Sequence, residues 1–188
     1  MEMILGIFSA FGLSASAGLN AYIPLFMVAV IARYTDWFKL KAPYDTLTHP
    51  WIIILLGVLI IIEFLADKIP AFNHFNDALQ TFVRPVAGAI VFAASAQVLT
   101  GVSPVISLAC GLLVAGSVHI TKAGLFRPAV TATTGGAGNI PVSIAEDFIA
   151  TVTSFLALIV PVIVAFVLIV FTALIVWWLL RRRQARVT

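Results

Sequence analysis

Charge is scarce in this chain of 188 residues: only 10% are Asp, Glu, Lys or Arg, against roughly 25% in a soluble globular domain. Hydrophobic residues make up 62%, and the mean hydropathy is +1.12. This composition excludes a disordered chain and a nucleic-acid-binding module, and it argues against a soluble enzyme. A single cysteine, Cys110, excludes an internal disulfide and a cysteine-rich metal site. Within SLACGLLVAG it reads as a small packing residue. The histidines, His49, His74 and His119, are scattered. No HExxH, Ser/His/Asp order or paired His–Asp spacing accompanies them. No catalytic residue, cofactor or metal is therefore expected, and the chain is not expected to be an enzyme.

Apolar runs fill the chain instead, and about 20 apolar residues suffice to cross a bilayer. The expected fold is all-α: a polytopic helical membrane protein with about five hydrophobic segments, residues 1–188 forming a single membrane domain. The first segment runs from about Met3 to Tyr34, longer than one straight span needs. Ala15-Ser16-Ala17 resembles a signal-peptidase site, but no basic region precedes it and apolar character resumes at once, so the segment reads as retained. Its middle, GLSASAGLNAYIP, holds Asn20 and Pro24. A broken helix or a re-entrant hairpin explains the length; a long, tilted, proline-kinked helix is the alternative.

A polar connection, Thr35 to Pro50, leads to segment two, WIIILLGVLIIIEFLADK. IPAFNHFNDALQTFVRP follows, with Phe72, Phe75, Leu79, Phe82 and Val83 at helical spacing, as in an amphipathic helix lying in the interface. Segment three is VAGAIVFAASAQVLTG, and segment four runs from Pro104 to about Phe126. The weakly hydrophobic stretch RPAVTATTGGAGNIPVSIAED then leads to segment five, Phe148 to Leu180, with Pro161 inside it. Ser143-Ile144-Ala145-Glu146 fits a capping box.

Orientation follows from Lys and Arg. With the basic tail 181–188 in the cytoplasm of a cell with an inner membrane, Arg33, Lys39 and Lys41 fall on the same side. Lys68, Arg84, Lys122 and Arg127 fall on the other. The two halves, about 1–85 and 86–180, also contain matching pieces. Glu63 precedes Lys68 and Ser117 precedes Lys122 by five; Arg84-Pro85 echoes Arg127-Pro128; AGLN with IP echoes AGN with IP. Such an echo is expected of an internal repeat, as in transporters whose interrupted segments meet at the binding site.

Charges in apolar segments are expensive and usually have a reason. Glu63 and Asp67 are four residues apart and share a helix face. Two repelling carboxylates suit a proton carrier or a cation site; a helix end with Asp67 pairing Arg84 or Lys122 is the plainer alternative. A second group comprises Lys122, Arg127, Thr131, Thr133, Thr134, Gly135, Gly136, Gly138, Asn139, Glu146 and Asp147. Glycine-rich backbone presents N–H groups to an anion, and hydroxyls and an arginine complete such a site. TTGGAGN is not a P-loop, lacking both the GK[ST] ending and a preceding strand. The expected substrate site thus combines Lys68, Arg84, Lys122 and Arg127 with Asn20, Gly135, Gly136, Gly138 and Asn139. Glu63, Asp67, Glu146 and Asp147 couple protons or balance the basic groups.

GLNAYIPL, EFLADKIP and GNIPVSIAED resemble a family of small bacterial membrane proteins known as a domain of unknown function. The resemblance covers nearly the whole chain. It implies a polytopic inner-membrane fold and carries no activity. In architecture alone, the broken segments with basic residues are similar to small transporters of polyprenyl-phosphate lipids. The expected function is transport or flipping of an anionic substrate such as a phosphate-bearing lipid or a small anion, with proton coupling. An ion channel and a non-transporting scaffold are the alternatives. The expected partners are membrane lipids and no nucleic acid; a homo-oligomer is compatible with the small-residue faces.

Overall fold

The computed structural model describes residues 2–36, 39–66, 70–99, 102–159, 167, 170–172 and 174–175. Among them there is no strand. The helices are α1 (Glu2–Leu19), α2 (Tyr22–Tyr34), α3 (Pro50–Ala66), α4 (Pro70–Leu99), α5 (Pro104–Thr121), α6 (Arg127–Thr134) and α7 (Asn139–Ile159). A short 3-10 helix, Tyr44–Thr48, lies in the polar connection, and a π turn, Lys122–Phe126, joins α5 to α6. The stretches Ala78–Ala96, Pro104–Thr134 and Asn139–Ile159 are long and apolar enough to cross a membrane. Gly6–Leu19, Tyr22–Tyr34 and Pro50–Ala66 are shorter apolar helices. The protein is a helical membrane protein.

Its outer surface is the reverse of a soluble bundle's, although an apolar core of Leu13, Leu25, Val28, Leu56 and Val91 remains inside. Large apolar side chains face outward: Trp51, Ile54, Leu55 and Ile61 on α3, and Phe148, Ile149 and Phe155 on α7. Small and polar residues face inward, among them Ser9, Ser14 and Ser16 on α1, Ser107 on α5 and Ser154 on α7. In lipid, apolar surface gains nothing by hiding, so packing and interhelical hydrogen bonds must hold the helices together. Helix α1 runs between α4, α5 and α7. Ser9 Oγ donates to Ala157 O at 2.6 Å, Ser14 Oγ to Gly111 O at 2.8 Å and Ser16 Oγ to Ala150 O at 2.8 Å. Helices α4 and α5 approach each other closely at Gly88 and Gly111. A Cβ on Gly88 would meet the Gly111 carbonyl oxygen at 3.0 Å, and a Cβ on Gly111 would meet Ala89 Cα at 2.7 Å. Cys110 packs beside Ala10, Phe92 and Ala96, as a small packing residue does.

Three sequence-based boundaries are corrected. The amphipathic stretch and segment three form one helix, because α4 continues through Pro85; neighbouring helices tolerate the hydrogen bond that a proline removes within a span. The glycine-rich stretch is mostly helical: α6 runs to Thr134, and Gly135 (φ +63°) and Gly136 (φ +92°) turn the chain into α7. A glycine in the left-handed region is the usual helix C-cap. Because α7 starts at Asn139, Ser143 is inside it and buried, so the capping box does not form. Pro161, Asp67 and Lys68 lie outside the described residues.

Candidate functional site

Glu63 on α3 and Arg84 on α4 form a buried ion pair. Arg84 Nη2 donates to Glu63 Oε1 at 2.9 Å, and each side chain is 1% exposed. His119, on α5 and also buried, stands behind the arginine, with its Nδ1 3.3 Å from Arg84 Nη1. A guanidinium can only donate, so Nδ1 accepts and the ring is neutral with its hydrogen on Nε2. That nitrogen lies 3.1 Å from Thr81 Oγ1, which therefore accepts. Tyr22, at the start of α2, is within electrostatic reach of Glu63 and Arg84 and hydrogen-bonds the Gln80 side chain.

The second cluster depends on two departures from regular helix. The first is at Asn20 and Ala21, between α1 and α2. Asn20 Oδ1 accepts from the backbone N–H groups of Tyr22 and Ile23, both at 3.1 Å. In a continuous helix these donors would bond the carbonyls of Gly18 and Leu19. Lys122 Nζ supplies the missing donor to Leu19 O at 2.8 Å. Pro24 has no N–H to offer the Asn20 carbonyl. Asn20 Nδ2 reaches Asp147 Oδ1 at 2.9 Å. The broken-helix reading of the first segment therefore holds.

The second departure is the π turn. Pro128 has no N–H for the Gly124 carbonyl, and its ring would crowd that carbonyl in an α-helix. The chain widens before it, and the Arg127 N–H bonds to the Lys122 carbonyl. On an α-helix, residues five apart point about 140° apart. The i→i+5 turn instead brings both side chains to one oxygen: Glu146 Oε2 is 2.8 Å from Lys122 Nζ and 3.3 Å from Arg127 Nη2. Single-turn π insertions are frequent at functional sites.

The structure thus joins Arg84, Lys122, Arg127, Asn20, Glu63, Glu146 and Asp147 in the interior, with Lys122 within electrostatic reach of Arg84. Among the described residues, three basic groups of this cluster meet three acidic ones, so their charges compensate each other. Arg84 pairs with Glu63, and Lys122 with Glu146; the alternative of Asp67 as their partner falls on a residue outside the described ones. The glycines are occupied elsewhere. Gly135 and Gly136 end α6, and Gly138 donates its N–H to Thr134 Oγ1 at 3.0 Å. Asn139 Nδ2 donates to Thr131 Oγ1 at 3.0 Å, about 10 Å along α7 from Glu146 at 1.5 Å per residue. Among the described residues, no group of three metal-ligating side chains occurs.

Sequence reasoning passed over His119, Asn76 and Gln80. Their signals were available: Asn76, Gln80 and Arg84 repeat at four residues, and His119 precedes Lys122 by three. A stripe of polar groups on one helix face, inside an apolar span, marks an interior face.

The fold and the cluster define a class: an all-α membrane protein with interrupted helices around buried, paired charges. Within that class, the chain belongs to the family described as Domain of unknown function (DUF4126), whose family model matches residues 7–182. Comparison with curated proteins gives no match. Comparison with solved structures gives none.

Proposed function

We propose that this protein transports an anionic substrate across the membrane, with a phosphate-bearing lipid as the substrate class, and that uptake of a proton accompanies it. The observation that carries this reading is the convergence of Lys122 and Arg127 on the single oxygen Glu146 Oε2. A carboxylate shared by two cations stands where a phosphate oxygen can stand. Arg and Lys together bind phosphate well, the first by its fork and the second as a point charge. An arriving phosphate displaces Glu146 without leaving either cation bare, so the desolvation cost stays compensated.

The surroundings favour a lipid over a free ion. Phe126 immediately precedes Arg127 and Phe148 immediately follows Asp147, and both rings are exposed on the outer face of the bundle. A head group at Arg127 therefore leaves its acyl chains beside bilayer-facing side chains. The break at Asn20 supports movement, because its backbone groups are held by side chains rather than by a helix ladder. Glu63 is the proton-exchanging group. The excess of Lys and Arg at the tail supports an inner-membrane setting with the C-terminus in the cytoplasm.

The test starts with native mass spectrometry of the full chain, gently purified, beside Arg127→Ala. The wild type is expected to retain a phosphate-bearing lipid that the variant loses. Proteoliposomes with fluorescent phosphatidic acid then read translocation. An empty wild type whose vesicles move the probe no faster than protein-free vesicles overturns the reading. Non-saturating conductance in a planar bilayer replaces it with ion conduction.

A further inference from the structure

Asn76, Gln80 and Arg84 stand four residues apart on α4, so they form one row, about 12 Å long at 1.5 Å per residue. All three are buried, at 7%, 1% and 1% exposure. Gln80 and Arg84 lie within the apolar stretch Ala78–Ala96 and Asn76 just before it; polar side chains inside a span are costly and often mark a pathway. Two atoms of the row carry a second, independent observation: Gln80 Oε1 and Arg84 Nε have no hydrogen-bond partner. One is an acceptor and the other a donor, one turn apart on the same face. A buried polar atom left without a partner costs about 1–3 kcal/mol. Water bridging an acceptor to a donor removes that cost, and buried waters sit where polar atoms are otherwise unmatched.

The row ends at the Glu63–Arg84 pair. Among the described residues, those facing Glu63 include Arg84 from α4 and Tyr22 from α2, with His119 of α5 behind the arginine and Lys122 within electrostatic reach of it. His119 takes no proton while Arg84 stands against it, because its Nδ1 already accepts from the guanidinium. Glu63 is then the acceptor at the end of the row.

We propose that the Asn76–Gln80–Arg84 row is a hydrated proton path, with water seated between Gln80 and Arg84, that delivers a proton to Glu63 and releases Arg84 from it. The step balances. A hydronium ion in the water chain gives its proton to a Glu63 carboxylate oxygen and becomes water, and no other covalent bond changes. Arg84 keeps its charge, and one negative charge of substrate then neutralises it. That last stage rests on the transport reading; the proton path itself does not.

The test uses the full chain reconstituted in phosphatidylcholine vesicles. The external pH is dropped rapidly, and the C=O stretch of protonated carboxyl groups is followed by infrared spectroscopy. The wild type is expected to show a band that Glu63→Gln lacks. Gln80→Leu is expected to reach the same amplitude about tenfold more slowly, the change that corresponds to about 1.4 kcal/mol of added barrier. Asn76→Leu, a turn further along, is the second variant and is expected to slow the rise in the same sense. A band that persists in Glu63→Gln overturns the proposal, as do wild-type rates in both leucine variants. If the proton behaviour appears as expected in a wild type that retains no lipid by mass spectrometry, the path is supported and the anionic-lipid reading falls.

Discussion

Lys122 completes the broken first segment by donating from Nζ to the carbonyl oxygen of Leu19, 2.8 Å away and 103 residues earlier in the chain. The same nitrogen holds Glu146 at 2.8 Å. One ammonium group therefore ties the break between α1 and α2 to α7. Lys122→Met leaves Leu19 O without this donor and Glu146, among the described residues, with Arg127 as its cation. Removing one partner of a buried pair typically costs about 3–5 kcal/mol. A loss of that size is expected in unfolding experiments in mixed micelles; a change under about 1 kcal/mol, the range of an exposed pair, contradicts the geometry.

The Glu63–Arg84 pair is expected to behave non-additively. Glu63→Ala strands a buried guanidinium and should lose about 3–5 kcal/mol. Replacing both partners together, as Glu63→Leu with Arg84→Met, removes both desolvation costs and should recover most of that loss. A double-mutant cycle in the same micelles reads the coupling. The double variant should keep its fold and lose the infrared carboxyl band.

Asn20 caps α2 through two backbone N–H groups and bonds Asp147. Asn20→Ala removes all three interactions at a buried position. The loss of a cap alone costs about 1 kcal/mol, and a buried donor left bare adds about 1–3 kcal/mol. Asn20→Ser keeps a short acceptor at the cap and is expected to recover part of the loss. Hydrogen exchange of the Tyr22 and Ile23 amides reads the effect locally.

Helix contact at Gly111 leaves no room for a methyl group. Gly111→Ala places a Cβ against the Gly88 carbonyl oxygen and 2.7 Å from Ala89 Cα. Both atoms are backbone, so α4 and α5 must separate. Overpacking of this kind costs typically about 1–3 kcal/mol, read as a lowered midpoint of thermal unfolding.

Gly135 has a different reason to be glycine. Nothing lies within 4 Å of a Cβ built there, but its φ is +63°. Gly135→Ala is expected to cost about 1–2 kcal/mol through backbone strain alone. Retention of the proposed phosphate-bearing lipid should not change, because Gly135 serves as the left-handed cap that ends α6.

Several features were legible in order along the chain. Low charge and long apolar runs require helices that satisfy their own backbone in lipid. Asn20 with Pro24 announced a break, and the break is there. Arg84, Lys122 and Arg127 announced an interior role, because charge in a span is rarely idle. Boundaries were less legible where proline misled. Pro85 reads as a helix end in water, yet α4 passes through it because surrounding helices hold the chain. The glycine-rich run reads as a loop, yet only the four residues from Gly135 to Gly138 turn.

By itself the sequence determined the solvent, the helical class and which rare charges matter, because those follow from composition and local spacing. Partner choice was decided only by the tertiary structure. Glu63 meets Arg84 across 21 residues, Arg127 meets Glu146 across 19 and Asn20 meets Asp147 across 127. Spacing along one helix says nothing of which helix lies opposite. The π turn was likewise invisible: its widened register is what swings Lys122 and Arg127 onto one oxygen, and a pattern of period 3.6 assigns them to different faces.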